Sequence, residues 1–128
     1  MQYLLLIYDD EKRWTNLSQA EWDAESREYG AFGKEFAGKI LGGNALQPTT
    51  TAKTVRLRDG KSLTTDGPFA ETKEQLAGYY LVEAADADEA IAIAAKIPWA
   101  RFGSIEARPI LTFSKGEPPA IGGRISER

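Results

Sequence analysis

Strand and helix signals alternate along the chain as strand, helix, strand, hairpin, strand, helix, strand. That order predicts an α+β fold: a ferredoxin-like sandwich with an extra β-hairpin. Three observations carry the prediction. The chain opens on a strand that is apolar on both faces. Two later segments begin with well-formed helix caps. Between them, Asp59-Gly60 sits between two strand-like runs. Short connections place both helices on one face of an antiparallel sheet.

The first strand is Tyr3-Leu4-Leu5-Leu6-Ile7-Tyr8, bounded by Asp9-Asp10. With no polar alternation, it reads as buried on both sides. The first helix is expected over 19–37. Ser18-Gln19-Ala20-Glu21 forms a capping box, and Leu17 with Trp22 supplies a hydrophobic staple. Trp22, Tyr29, Phe32, Phe36 and Ile40 fall near one face, and Gly38 supplies the stop. Gly30 and Gly33 lie inside this helix, which suggests close packing against the sheet.

Leu41-Gly42-Gly43 reads as a turn before a short strand at Asn44–Leu46. Thr54–Arg58 and Lys61–Thr65 then form a hairpin across Asp59-Gly60, which suits a type I′ turn. That register sets Arg56 opposite Leu63 and Val55 opposite Thr64. The apolar faces of the two strands therefore disagree, which makes the register uncertain or the hairpin largely exposed. A sharp turn follows at Asp66-Gly67-Pro68-Phe69. The next strand is Leu76–Ala84, Asp86 caps a helix over 87–96 that stops before Pro98, and Ser104–Leu111 is the last strand. This gives one domain over 1–113 and a Pro/Gly-containing tail over 114–128, expected to be flexible or received by a partner chain. Helices on one face leave the other face of the two-sided first strand uncovered. An identical sheet in a two-fold homodimer would cover it.

Composition narrows the chemistry. The 128 residues include 16 basic and 19 acidic side chains, for a net charge of −3. That argues against direct nucleic-acid binding. There is no Cys and no His. This removes thiolate and Ser-His catalysis and the common transition-metal ligands, so neither a metal nor another cofactor is expected. The opening apolar run is too short for a membrane span and has no basic segment before it. A cytoplasmic location follows as the expectation.

Acid–base work must then come from Asp, Glu, Lys or Tyr. Asp66 is the leading catalytic candidate. An Asp in a turn usually accepts the amide two residues on, but that residue is Pro68, which has none. Its carboxylate must find the Phe69 amide, another partner or a ligand. Glu71 and Glu74 stand close enough in sequence to join it in a general base, or else belong to a solvated loop. Glu106 and Arg108 alternate on the last strand and share a face, where Arg108 could hold an anion or simply pair with Glu106. Tyr8 and Tyr79 could line an apolar cleft or serve as core.

The run Asp66-Gly67-Pro68-Phe69-Ala70-Glu71-Thr72-Lys73-Glu74-Gln75-Leu76-Ala77-Gly78-Tyr79-Tyr80 resembles the signature of the DGPF proteins, a branch of the YCII-related family. Tyr8, the segment Gly42–Pro48 and the segment Gly103–Ile110 resemble it too, so the likeness spans residues 1–112. The resemblance implies the dimeric α/β-barrel fold, with a cleft between sheet and helices. Its superfamily includes muconolactone isomerase-like, monooxygenase-like and dehydrochlorinase-like enzymes. YCII-like enzymes are thought to use a His–Asp pair, and this chain has no His to supply it. The DGPF branch implies no single activity; its members often accompany extracytoplasmic-function sigma factors.

Two functions are compatible with these residues. One is a small-molecule binder or cofactor-free enzyme, with Asp66 as base, Arg108 as anion anchor, and Tyr8 and Tyr79 as cleft walls. The other is a non-catalytic regulatory or interaction module, with a sigma factor as one candidate partner. Convergence of the charged groups in one closed cleft would favour the first.

Overall fold

The computed structural model describes residues 1–113, so the tail expected over 114–128 lies outside the described residues. Chain order gives β1 (Gln2–Asp9), α1 (Glu11–Trp14), α2 (Gln19–Glu35), β2 (Ile40–Ala45), β3 (Lys53–Arg58), β4 (Lys61–Asp66), β5 (Gln75–Glu83), α3 (Ala87–Ala95) and β6 (Ser104–Pro109). One-turn 3-10 segments occur at Thr49–Thr51 and Pro98–Arg101. The main sheet is antiparallel, in the order β2-β5-β1-β6, and β3 with β4 forms a separate ribbon. This is the predicted ferredoxin-like α+β arrangement with its extra hairpin.

Alternation along β1 sorts the two faces of the sheet. Tyr3, Leu5, Ile7 and Asp9 are buried, while Leu4, Leu6 and Tyr8 are half-buried on the other side. The buried set packs with Phe32 of α2, with Ala90, Ile93 and Ala94 of α3, and with Val82, Ile97 and Trp99. Both long helices therefore cover the same face. Opposite them, β1 register places Leu4 beside Leu81 and Arg108, and Leu6 beside Tyr79 and Glu106. Among the described residues no helix covers that second face.

Local signals explain most of the element boundaries. The Ser18 hydroxyl accepts the Glu21 amide at 3.2 Å, and Glu21 returns the bond to the Ser18 amide at 2.9 Å. Asp86 caps α3 by accepting the Glu89 amide at 2.9 Å. The hairpin takes the expected register, Arg56 opposite Leu63, with Asp59 and Gly60 both at positive φ (51° and 76°). Val55, Leu57 and Leu63 of this ribbon are exposed.

Some expectations need correction. Gly42 and Gly43 are not a turn but part of β2, which starts at Ile40. A Cβ on Gly43 would sit 2.6 Å from the Tyr79 carbonyl oxygen, so the missing side chain lets β2 lie against β5. Gly30 and Gly33 do not mark close packing, because a Cβ at either would meet nothing within 4 Å. Helix α2 ends at Glu35, with Phe36 as its cap rather than Gly38. The last strand stops at Pro109 rather than Leu111.

Candidate functional site

The polar centre of the molecule grows out of the end of β1. The parity that buries Tyr3, Leu5 and Ile7 also buries Asp9, which is 1% exposed. A carboxylate there needs partners. Its Oδ1 accepts the Asp10 amide at 2.7 Å. Its Oδ2 accepts Arg13 Nε at 2.9 Å and Nη2 at 2.7 Å. Asp10 caps α1 through the Lys12 amide, and that single helical turn brings Arg13 back over Asp9.

Arg13 then reaches across to α2. Its Nη1 lies 3.2 Å from both carboxylate oxygens of Glu25. Glu25 Oε1 also accepts the indole N–H of Trp99 at 2.7 Å. The guanidinium sits 4.0 Å from the ring centre of Phe102 and 5.0 Å from that of Trp99. Burial opposes its charge, yet hydrogen bonds and charge from Asp9 and Glu25 outweigh this and hold the Arg13 pKa above its ordinary value. The unit holds two carboxylates and one guanidinium.

Glu25 lines a cavity of about 360 Å³ between α2 and the β2–β5 end of the sheet. Trp14, Trp22, Tyr29, Tyr80 and Trp99 form much of its wall, and Glu25 is the one charged lining residue among the described residues. The chain has three tryptophans, and all three line this space. The rings brace one another: Trp14 and Trp99 lie 5.8 Å apart, and Tyr29 meets Trp99 edge-on at 5.8 Å. Gly78 keeps the floor low, since a Cβ there would fall 2.8 Å from the Asn44 carbonyl oxygen. Burial, and then the neighbouring Tyr80, push the Tyr29 phenol well above its ordinary value, so it stays neutral. Trp14 carries a buried indole N–H that has no acceptor among the described residues.

This arrangement can enclose a small, mostly apolar molecule and present one fixed carboxylate to it. Glu25 Oε2 has a single donor among the described residues, Arg13 Nη1. A carboxylate oxygen takes about two donors, which leaves Oε2 room for one more. Among the described residues no cluster of three or more Asp, Glu, His or Cys could hold a metal ion. No described helix is long and apolar enough to cross a membrane.

Apart from Tyr79, the residues singled out from sequence lie elsewhere. Asp66 ends β4, with its side chain 85% exposed and 2.5 Å from Lys53 Nζ across the ribbon. The ribbon is separate from the main sheet, which keeps Asp66 out of the cavity lining. Glu71 is exposed, and Glu74 accepts the Ser104 hydroxyl at 2.8 Å. The three carboxylates therefore have separate surroundings. Tyr8, Tyr79, Glu106 and Arg108 do share one face of the sheet, but by strand parity it is the uncovered face rather than the helix-covered one. There Arg108 pairs with Glu106 at 2.6 Å, and the Tyr79 hydroxyl accepts from Asn44 Nδ2 at 2.8 Å. Tyr79 borders the cavity, while its hydroxyl bonds on the uncovered side.

Asp9, Arg13 and Glu25 were missed because they look like surface charges in a polar stretch. One signal was available: Asp9 continues the odd-numbered parity of Tyr3, Leu5 and Ile7, which marks it as an inward-facing carboxylate.

A protein of Rhizobium meliloti (strain 1021), described only as uncharacterized, is 40% identical over 124 residues. The match covers 94% of this chain and all of that protein. Residues 1–114 match the YCII-related domain. The chain belongs to the YCII-related domain family.

Proposed function

We propose that the chain binds a small, largely apolar organic molecule in the cavity between α2 and the sheet, with Glu25 as its carboxylate acid/base or anchor. The observation that supports this is the aromatic cavity itself, with one half-buried, doubly braced carboxylate in its wall. Arg13 and Trp99 hold Glu25 in position, as a proton acceptor or hydrogen-bond acceptor requires. In this reading Asp66 is a surface residue of the DGPF branch's signature segment, and the chemistry belongs to Glu25.

The functional unit in this reading is a homodimer. Leu4, Leu6, Tyr8, Tyr79 and Leu81 on the uncovered sheet face supply the apolar contact. Light scattering after size exclusion should give twice the chain mass, and a stable monomer at micromolar concentration would remove this part.

Intrinsic fluorescence tests the cavity directly because every tryptophan lines it. Titration with 2-phenylethanol should give a saturable change. Ser26→Phe, at an exposed helical position in the cavity wall, should abolish it with the fold intact. An unsaturable response, or unchanged binding by the variant, would reject the proposal.

A second reading is a regulatory module that docks another protein, with a sigma factor as candidate. The exposed Val55, Leu57 and Leu63 of the ribbon and the nearby Phe69, 79% exposed, support it. Replacing Leu57 and Phe69 with Ser should then abolish partner binding while leaving cavity binding unchanged.

A further inference from the structure

We infer that the cavity selects an organic cation, a small ammonium compound carrying an apolar or aromatic body, over anionic molecules of the same shape. The inference rests on the cavity reading above and goes further by fixing the charge of the ligand.

The charge balance of the wall carries the argument. Among the described residues the only charged lining residue is Glu25. Its counter-charge, Arg13, is shared with Asp9, so the unit of two carboxylates and one guanidinium retains an excess of one negative charge. Arg13 is not free to receive an anion. Its Nε and Nη2 donate to Asp9, its Nη1 and Nη2 donate to Glu25, and its ring neighbours are Trp99 and Phe102. Among the described residues no Lys or Arg lines the cavity. An anionic ligand would meet a carboxylate whose one cation, Arg13, is already divided between Glu25 and Asp9, in a partly desolvated space where such repulsion is costly.

A cation meets the opposite situation. Glu25 Oε2 has room for another donor, and an ammonium N–H would form a charge-assisted bond there. Much of the remaining wall is aromatic, with Trp14, Trp22, Tyr29, Tyr80 and Trp99 around the same space. Indole and phenol faces attract an ammonium group through their ring quadrupoles, tryptophan most strongly. The buried Tyr29 phenol stays neutral and adds no competing charge. Carboxylate and rings thus favour the same sign of ligand charge.

The test uses three probes with a common aromatic body and different charge: 2-phenylethylamine, 2-phenylethanol and phenylacetate. Binding is read by calorimetry and by tryptophan fluorescence at neutral pH. The amine should bind about tenfold or more tighter than the alcohol, and phenylacetate should bind weakest. In Glu25→Gln the advantage of the amine over the alcohol should fall to about twofold, because the amide keeps the acceptor for Trp99 but not the charge. Should that variant not fold, the ranking of the three probes on the native protein decides by itself. Equal or tighter binding of phenylacetate overturns the inference, as does an amine preference that survives in folded Glu25→Gln. Binding of the alcohol and the carboxylate with rejection of the amine overturns the inference alone and leaves the cavity reading standing. Binding of none of the three overturns both.

Discussion

Replacing Arg13 with methionine isolates the energetic centre of the site. The change keeps most of the aliphatic stem and removes the guanidinium. Asp9, 1% exposed, then loses both bonds to its Oδ2 and keeps only the Asp10 amide on Oδ1. Glu25 keeps the Trp99 indole and loses its cation. Removing one partner of a buried ion pair costs about 3–5 kcal/mol, because the remaining charge stays desolvated. Native stability is typically about 5–15 kcal/mol, so Arg13→Met should forfeit a large share of it. With a urea slope of about 1–3 kcal/mol per molar, the midpoint should fall by roughly 1–5 M. Urea melts followed by circular dichroism give this number. Asp9→Asn in the same background should restore at least about 1 kcal/mol, since Asn keeps an acceptor for Asp10 and carries no charge to strand. A loss below about 1 kcal/mol in Arg13→Met, or no recovery in the double variant, would refute the claim that Asp9 depends on Arg13.

Three further outcomes follow from the same structure. The Tyr29 and Tyr80 phenols are pushed above their ordinary value of 10.0, chiefly by burial, so the native state retains protons there that the unfolded chain loses. Stability should be level below about pH 10 and fall as pH rises beyond it, and Tyr29→Phe should flatten that alkaline limb in pH-dependent melts. Asp66→Asn removes only an exposed ion pair with Lys53, so denaturant melts should move by less than about 1 kcal/mol and cavity binding should be unchanged. Gly78→Ala drives a methyl group to 2.8 Å from the Asn44 carbonyl oxygen and should cost about 1–3 kcal/mol while weakening cavity binding, read by melts and by fluorescence titration.

Much of the fold was legible because its signals are local. Ser18 with Glu21, Asp86 before α3, and Asp59-Gly60 each state a boundary within four residues, and the structure uses all three. The Gly42-Gly43 pair misled because the same residues serve a turn and a close strand approach, and only the neighbouring strand distinguishes them. Asp66 illustrates a sound premise with an incomplete search. Pro68 does deny it the usual amide, but continuing the hairpin register from Arg56 opposite Leu63 leads to Lys53 opposite Asp66, the partner it takes. The cavity was harder to read, since the stretch Asp9–Arg13, Glu25 and Trp99 come from three separate segments and meet only after folding. Charge in the stretch Asp9–Arg13 resembles an exposed loop until strand parity turns Asp9 inward.

The central claim, that small molecules bind among the tryptophans beside Glu25, is tested most directly by a nitrogen–proton NMR titration. The three indole N–H groups of Trp14, Trp22 and Trp99 give three resolvable signals, and all of them line the cavity. On addition of 2-phenylethylamine, all three should shift along one saturable curve, with amides of the Lys53–Asp66 ribbon unmoved. Shifts confined to the ribbon or to the Glu106–Arg108 face, with the indole signals fixed, would contradict the account.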